Sequence, residues 1–246
     1  MKQALVSWVA VALTGWFALA GEAAVINVDF NAEYEGSETT TYSGQGAFSD
    51  PGNNYWNGVD VSVGTEVVVA NPLYSDGVTS SDINITVPAI GDFFSWAGAF
   101  SPNALMDDWG KTSFLYNSET MTIDNLELNQ RYALYLYGAV FNTEGSKFTI
   151  NGVSQLCAAL TAGETDITQP GAEGNAYVVF WPVYPDATGQ IAVTWGRNNE
   201  SVFFAAPFNG FQIAEVPEPS VGILAGLFAL AWIWRRKPNG ATAGTA

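Results

Sequence analysis

The chain contains no histidine. That absence removes Ser-His-Asp and Cys-His nucleophile arrangements, imidazole general bases and the common zinc sites together. Any catalysis would have to rest on carboxylate, Lys, Tyr or Ser-Lys chemistry. Cysteine is nearly absent too: Cys157 stands alone, so no disulfide can form within the chain and stability must come from the core. The apolar run around it, residues 153–160, predicts a small buried residue. Basic residues are scarce as well. Between residues 23 and 216 only Lys111, Arg131, Lys147 and Arg197 are basic, against 22 of the 24 acidic residues in the sequence. That region therefore carries a formal charge of about −18, which repels phosphate backbones and excludes nucleic acid as a partner. The same acidity suits a solvated exterior.

What is present is apolar and aromatic. Of 246 residues, 48% are hydrophobic and 14% aromatic, with 25 glycines and 11 prolines. This composition folds. With the two terminal segments set aside, roughly 190 residues remain, enough for one domain with a substantial core.

The N-terminus predicts a secretory signal peptide over residues 1–24. Lys2 supplies the positive region, residues 4–19 form an apolar run, and Ala18-Leu19-Ala20 matches a small-residue cleavage pattern. Export through the Sec machinery follows from it.

From Val25 the pattern turns to short strand-like runs separated by turn residues. Val25-Ile26-Asn27-Val28-Asp29-Phe30 predicts a first strand. Apolar and polar residues alternate in residues 83–87, 120–123, 147–150 and 190–195, which predicts four half-buried strands. The third of these ends at Asn151-Gly152, a dipeptide that closes hairpins. Residues 132–137, 177–181 and 201–205 are apolar on both faces and predict central strands. No amphipathic stretch of helical length lies between Val25 and Val216. The body, residues 25–215, is therefore expected to be an all-β antiparallel β-sandwich. The strands at residues 131–138 and 147–153 and the closing run Asn209-Gly210-Phe211-Gln212-Ile213 resemble the galactose-binding-like jelly rolls of exported bacterial proteins. That resemblance implies architecture rather than activity.

Residues 31–60 are rich in Gly, Ser, Thr, Asn and Asp and form a long connection of the kind that carries function. Tyr55 and Trp56 sit there among turn residues. Together with Trp96 and Trp109 they are candidate glycan contacts, because flat aromatic faces stack on sugar rings. The stretch 50–57 is also the place to look for a structural calcium ion, although no calcium-binding loop of the D-x-[DN]-x-[DN]-G type occurs. No other cofactor is expected. The alternative to a binding protein is a carboxylate-dependent glycoside hydrolase or lyase, with Asp107-Asp108 or Glu33 and Glu35 as the acidic pair.

The C-terminal segment, residues 216–237, predicts a membrane-sorting device. Pro217 and Pro219 impose an extended lead-in. The apolar run 221–234, counted with Ser220, would rise roughly 22 Å as a helix, against a hydrocarbon core of about 30 Å. Arg235-Arg236-Lys237 is a basic stop that keeps residues 238–246, a small polar tail expected to be disordered, on the cytoplasmic side. Val216-Pro217-Glu218-Pro219-Ser220, the short apolar run and the basic cluster resemble the PEP-CTERM signal of Gram-negative bacteria, except that the tail continues past the basic cluster. The resemblance implies recognition by an exosortase, a membrane-anchored intermediate, and delivery to the cell surface or extracellular matrix beside exopolysaccharide.

Overall fold

In the computed structural model, Val25–Asn31 forms a first strand, β1, that is buried along its whole length. A strand with one solvated face cannot do this, so both faces of β1 must be covered. Ile26, Val28 and Phe30 enter the main core. Val25, Asn27, Asp29 and Asn31 face the other way and are buried too.

The structure describes residues 24–31, 41–49, 54–61, 64–90, 92–95, 105, 108–111, 118–140, 144–158, 176–197 and 206–217. The remaining strands in chain order are β2 (Asn57–Asp60), β3 (Val67–Ala70), β4 (Asn84–Val87), β5 (Asp92–Ser95), β6 (Asp108–Lys111), β7 (Ser118–Asp124), β8 (Arg131–Tyr137), β9 (Ala139–Val140), β10 (Glu144–Ile150), β11 (Val153–Leu156), β12 (Tyr177–Val183), β13 (Ile191–Arg197), β14 (Pro207–Phe208) and β15 (Gly210–Val216). No α-helix occurs among the described residues. No described helix is long and apolar enough to cross a membrane. Residues 1–23 of the expected signal peptide, the apolar run 221–234 and the tail lie outside the described residues.

Two large sheets carry the body. One has the order β12-β8-β15-β1-β2, the other β11-β10-β13-β7-β4-β3, and β14-β6-β5 make a third, smaller sheet. Pairing is antiparallel except between β1 and β2, which run parallel. Residues 24–216 gather into one compact unit.

The four alternating runs read from the sequence all became strands, and their apolar members are inside. Ile85, Met121, Ile123, Phe148, Val193 and Trp195 from one large sheet join Val28, Phe30, Leu134, Leu136, Phe211 and Ile213 from the other in a single core cluster. Two antiparallel-rich sheets that share one core fit a β-sandwich. Phe208 stands where the sheets meet. Its ring lies 4.9 Å from those of Phe30 and Phe148 and 5.1 Å from that of Trp195. Such edge and tilted contacts are each worth about 0.5–1.5 kcal/mol beyond the area buried.

The hairpin forms where Asn151-Gly152 predicts it. Ile150 pairs with Val153, and both turn residues have positive φ, 50° and 77°. Cys157 is fully buried, and burial pushes its thiol pKa well up.

One expectation needs correction. Residues 177–181 read as a central strand, yet β12 is the edge of its sheet. Neighbours cover residues 177–180, whereas Trp181 is 61% exposed. Val178 and Phe180 join the core, while Tyr177 packs against Tyr135 and Tyr137. The open edge is closed in part from the other sheet, where Gln155 Nε2 of β11 donates to the Val179 carbonyl at 2.6 Å. Residues 201–205 lie outside the described set.

Phe208→Ala should destabilise the body by about 3–5 kcal/mol in chemical denaturation, since it removes a ring shared by both sheets. Phe208→Leu should cost visibly less. Equal costs would contradict the bridging role.

Candidate functional site

The cover on the outer face of β1 comes from the long connection that follows it. Residues 41–49 lie across β1, β15 and β8, residues 57–60 run beside β1 as β2, and both parts are held by a row of buried polar side chains. Gln212 of β15 is the centre. Its Oε1 accepts from the backbone N–H of Phe48 at 2.9 Å and from the Tyr137 hydroxyl at 2.7 Å. Its Nε2 donates to Asn27 Oδ1 at 2.8 Å and to the Phe48 carbonyl at 3.1 Å. All four hydrogen-bonding positions of the amide are thus used.

The row extends in both directions. Tyr137 Oη also accepts from the Ala47 N–H at 2.7 Å. Burial pushes its phenol well above the usual tyrosine range, so it stays protonated and able to donate to Gln212. Asn27 Nδ2 donates to the Tyr55 carbonyl at 2.8 Å, and Asp29 Oδ2 accepts from the Tyr42 N–H at 2.7 Å. Asn57 donates to the carbonyls of Asn27 and Leu73 and accepts from the Leu73 N–H. Gly46 makes the close approach possible: a Cβ there would run into the Gln212 amide.

This arrangement separates the two aromatic residues that the sequence grouped together. Trp56 is buried, with 2% exposure, against the expectation of an exposed ring. Its Nε1 donates to the Gly44 carbonyl at 3.0 Å, and its ring meets Tyr42 and Tyr137 at 5.1 and 6.1 Å. The alternation along the chain is the reason, because Tyr55 and Trp56 point to opposite sides and the inner side is apolar. Tyr55 is 42% exposed. It lines an open cleft of about 400 Å³ with Thr41, Ser43, Asn54 and Gly58, beside the partly buried Tyr42 and the buried Trp56.

Trp109 lies in β6 at the position paired with Phe94 of β5. Trp96 lies outside the described residues. Asp108 is the first residue of β6, opposite Ser95; Asp107, Glu33 and Glu35 lie outside the described set. In the stretch 50–57 only residues 54–57 are described, and Asn57 is wholly engaged by backbone. No group of three or more Asp, Glu or Cys residues gathers at metal-binding distance among the described residues. Val216, read as the start of the sorting segment, is the last residue of β15; it pairs with Arg131, and its carbonyl accepts from Gln130 Nε2 at 3.0 Å. Pro217 is described. Glu218, Pro219, Ser220, Arg235, Arg236 and Lys237 lie outside.

The sequence reading did not single out Thr41, Ser43, Asn54 or Gln212. One signal was available. Asn27, Asp29 and Asn31 alternate with Ile26, Val28 and Phe30, and a polar row on an otherwise apolar first strand marks a face that needs hydrogen-bonding cover.

No protein-family model and no curated protein matches the chain. Among solved structures, similarity extends to a Bacillus subtilis protein from structural genomics, at 16% identity and TM-score 0.37 over 78% of this chain and 40% of that one. The extracellular domain of ANXUR2 from Arabidopsis thaliana is similar at 12% identity and TM-score 0.42, over 79% and 55% of the two chains. An exo-beta-1,3-galactanase from Phanerochaete chrysosporium, solved with galactose, is similar at 17% identity and TM-score 0.22, over 61% and 26%. The chain thus spans 40% of the length of the first of these proteins, 55% of the second and 26% of the third. Likenesses this distant carry no functional argument.

Gln212→Leu should lower unfolding stability by at least about 2 kcal/mol, because it strands the Phe48 backbone groups, the Tyr137 hydroxyl and Asn27 without partners. A loss below about 0.5 kcal/mol in urea titration would show that the polar row does not hold the cover.

Proposed function

We propose that this chain is an exported, non-enzymatic surface or extracellular-matrix protein with a jelly-roll-like body that holds polysaccharide weakly in the Tyr55 cleft. The observation that carries the binding half is the cleft itself. An aromatic ring, 42% exposed, borders it together with the hydroxyls of Thr41 and Ser43 and the amide of Asn54. A flat apolar face beside short polar side chains suits a sugar ring, which offers apolar C–H faces and peripheral oxygens. The cleft is open, and Tyr55 is the exposed aromatic among its described lining residues, which suits weak affinity made useful by repetition along a polymer.

The delivery half rests on the sequence. The signal peptide would hand the chain to the Sec machinery, and residues 216–237 would then hold it in the inner membrane for an exosortase of a Gram-negative cell. Pairing through Val216 completes β15 before the two prolines begin. Removal of the segment beyond would leave the strand ladder intact.

Tyr55→Ala in the full chain should abolish retention on a glycan array while leaving the melting temperature within about 1–2 °C, because the side chain is half exposed. Unaltered retention would overturn the cleft reading. Replacing Pro217-Glu218-Pro219 by alanines should permit export but block C-terminal processing. A mature form of normal size would sink the sorting assignment.

A further inference from the structure

We infer that a second contact for a neutral polysaccharide chain lies at the β12 edge of the five-stranded sheet, on an aromatic strip made by Trp181 and Tyr184. The class of ligand rests on the glycan-binding reading above, but the residues lie apart from the Tyr55 cleft.

The strip owes its shape to one irregularity. Up to Phe180 the strand alternates: Val178 and Phe180 enter the core, and Tyr177 faces outward against Tyr135 and Tyr137. Continued alternation would send Trp181 outward, Val183 outward and Tyr184 inward. The pairing with β8 departs from that. Phe180 pairs with Leu134 and Val183 with Tyr132, so Trp181 and Pro182 together oppose the single residue Ala133. A β-bulge of this kind adds one residue and re-aims the side chains that follow. Proline explains its position, since Pro182 has no N–H to give to the ladder. Val183 accordingly enters the core and Tyr184 does not. Trp181 and Tyr184, 61% and 48% exposed, therefore project from the same outward face.

The neighbouring hairpin widens the strip. Asn151 Nδ2 donates to the Tyr184 carbonyl at 3.4 Å and Gln155 Nε2 to the Val179 carbonyl at 2.6 Å. Val153 lies between these two contacts, level with Trp181, and is exposed as well. Exposed apolar residues that gather in one place mark a binding surface, where single ones do not.

Charge and position point to the occupant. A second copy of this chain would bring its own excess of acidic residues against the first, and anionic polymers and lipid headgroups meet the same repulsion. A neutral glycan does not. Its apolar ring faces can stack on Trp181 and Tyr184, while the Tyr184 hydroxyl and the Asn151 amide offer hydrogen bonds at its rim. The outward face is also the one on which Asn27 and Asp29 hold the backbone of Tyr55 and Tyr42 at the cleft. β12 and β2 are the two edges of this sheet, four strand spacings or roughly 19 Å apart. A polymer can lie across both places and a single sugar cannot. Two weak contacts on one chain hold it far better than either does alone.

Retention of the full chain on an array of β-glucan, mannan and galactan polymers tests this, with sedimentation of the same samples alongside. Trp181→Ala and Tyr184→Ala should each lower retention at least about fivefold, the value of one aromatic contact, with the melting temperature kept within about 1–2 °C. Trp181→Phe keeps a flat face and should keep most of the retention. Loss with Tyr55→Ala but with neither Trp181→Ala nor Tyr184→Ala would overturn the inference and leave the cleft reading standing. Loss with Trp181→Ala and Tyr184→Ala but not with Tyr55→Ala would support the strip and overturn the cleft. No retention of the unsubstituted protein on any of the three polymers would overturn both. A dimer that Trp181→Ala dissolves would give the strip to a second copy and overturn the inference.

Discussion

The buried amide of Gln212 is the interaction on which the arrangement depends. A primary amide in an apolar interior is costly unless all its donors and acceptors are matched. Here the Phe48 backbone, Tyr137 and Asn27 match them. Two of those four bonds go to the backbone of the connection after β1, so that segment cannot leave the sheet without stranding the amide. The outer face of the five-stranded sheet thereby becomes a second interior, and its rim forms the open cleft that Tyr55 lines.

That second interior explains features that look unrelated in the sequence. β1 is buried on both faces because a segment crosses it. Gly46 lets the backbone approach closely, because a Cβ there would push against the Gln212 amide. Trp56 is packed while its neighbour Tyr55 is not, since consecutive residues of an extended segment face opposite ways. The first interior is held differently, by aromatic rings that converge on Phe208 from both large sheets. One core is thus fastened by directional hydrogen bonds and the other by area and shape, as a chain without disulfides requires.

The strands with one polar face were legible in the sequence because a half-buried strand writes its environment as a period of two. Ile85, Met121, Phe148 and Val193 are inside where that period put them, and Asn151-Gly152 turned the chain where it had to. Position in the sheet was not legible: residues 177–181 carry the composition of a central strand and form an edge, because cover from tyrosines and from β11 gives residues 177–180 the same apolar pattern, while Trp181 stands exposed. The parallel pairing of β2 with β1 left no mark, as four residues of mixed character say nothing about their neighbour. The site was half legible. Tyr55 stood out as an aromatic among turn residues, but Thr41, Ser43 and Asn54 join it at the cleft only through the fold, and no local pattern encodes that meeting.

Native-state amide hydrogen exchange on the full chain tests the account at its centre. If the connection after β1 is clamped by the buried polar row, the N–H groups of Tyr42, Ala47 and Phe48, which donate to Asp29, Tyr137 and Gln212, exchange as slowly as those of β1 and β15. Exchange of these three amides at the rate of an open loop, while β1 and β15 stay protected, would contradict it.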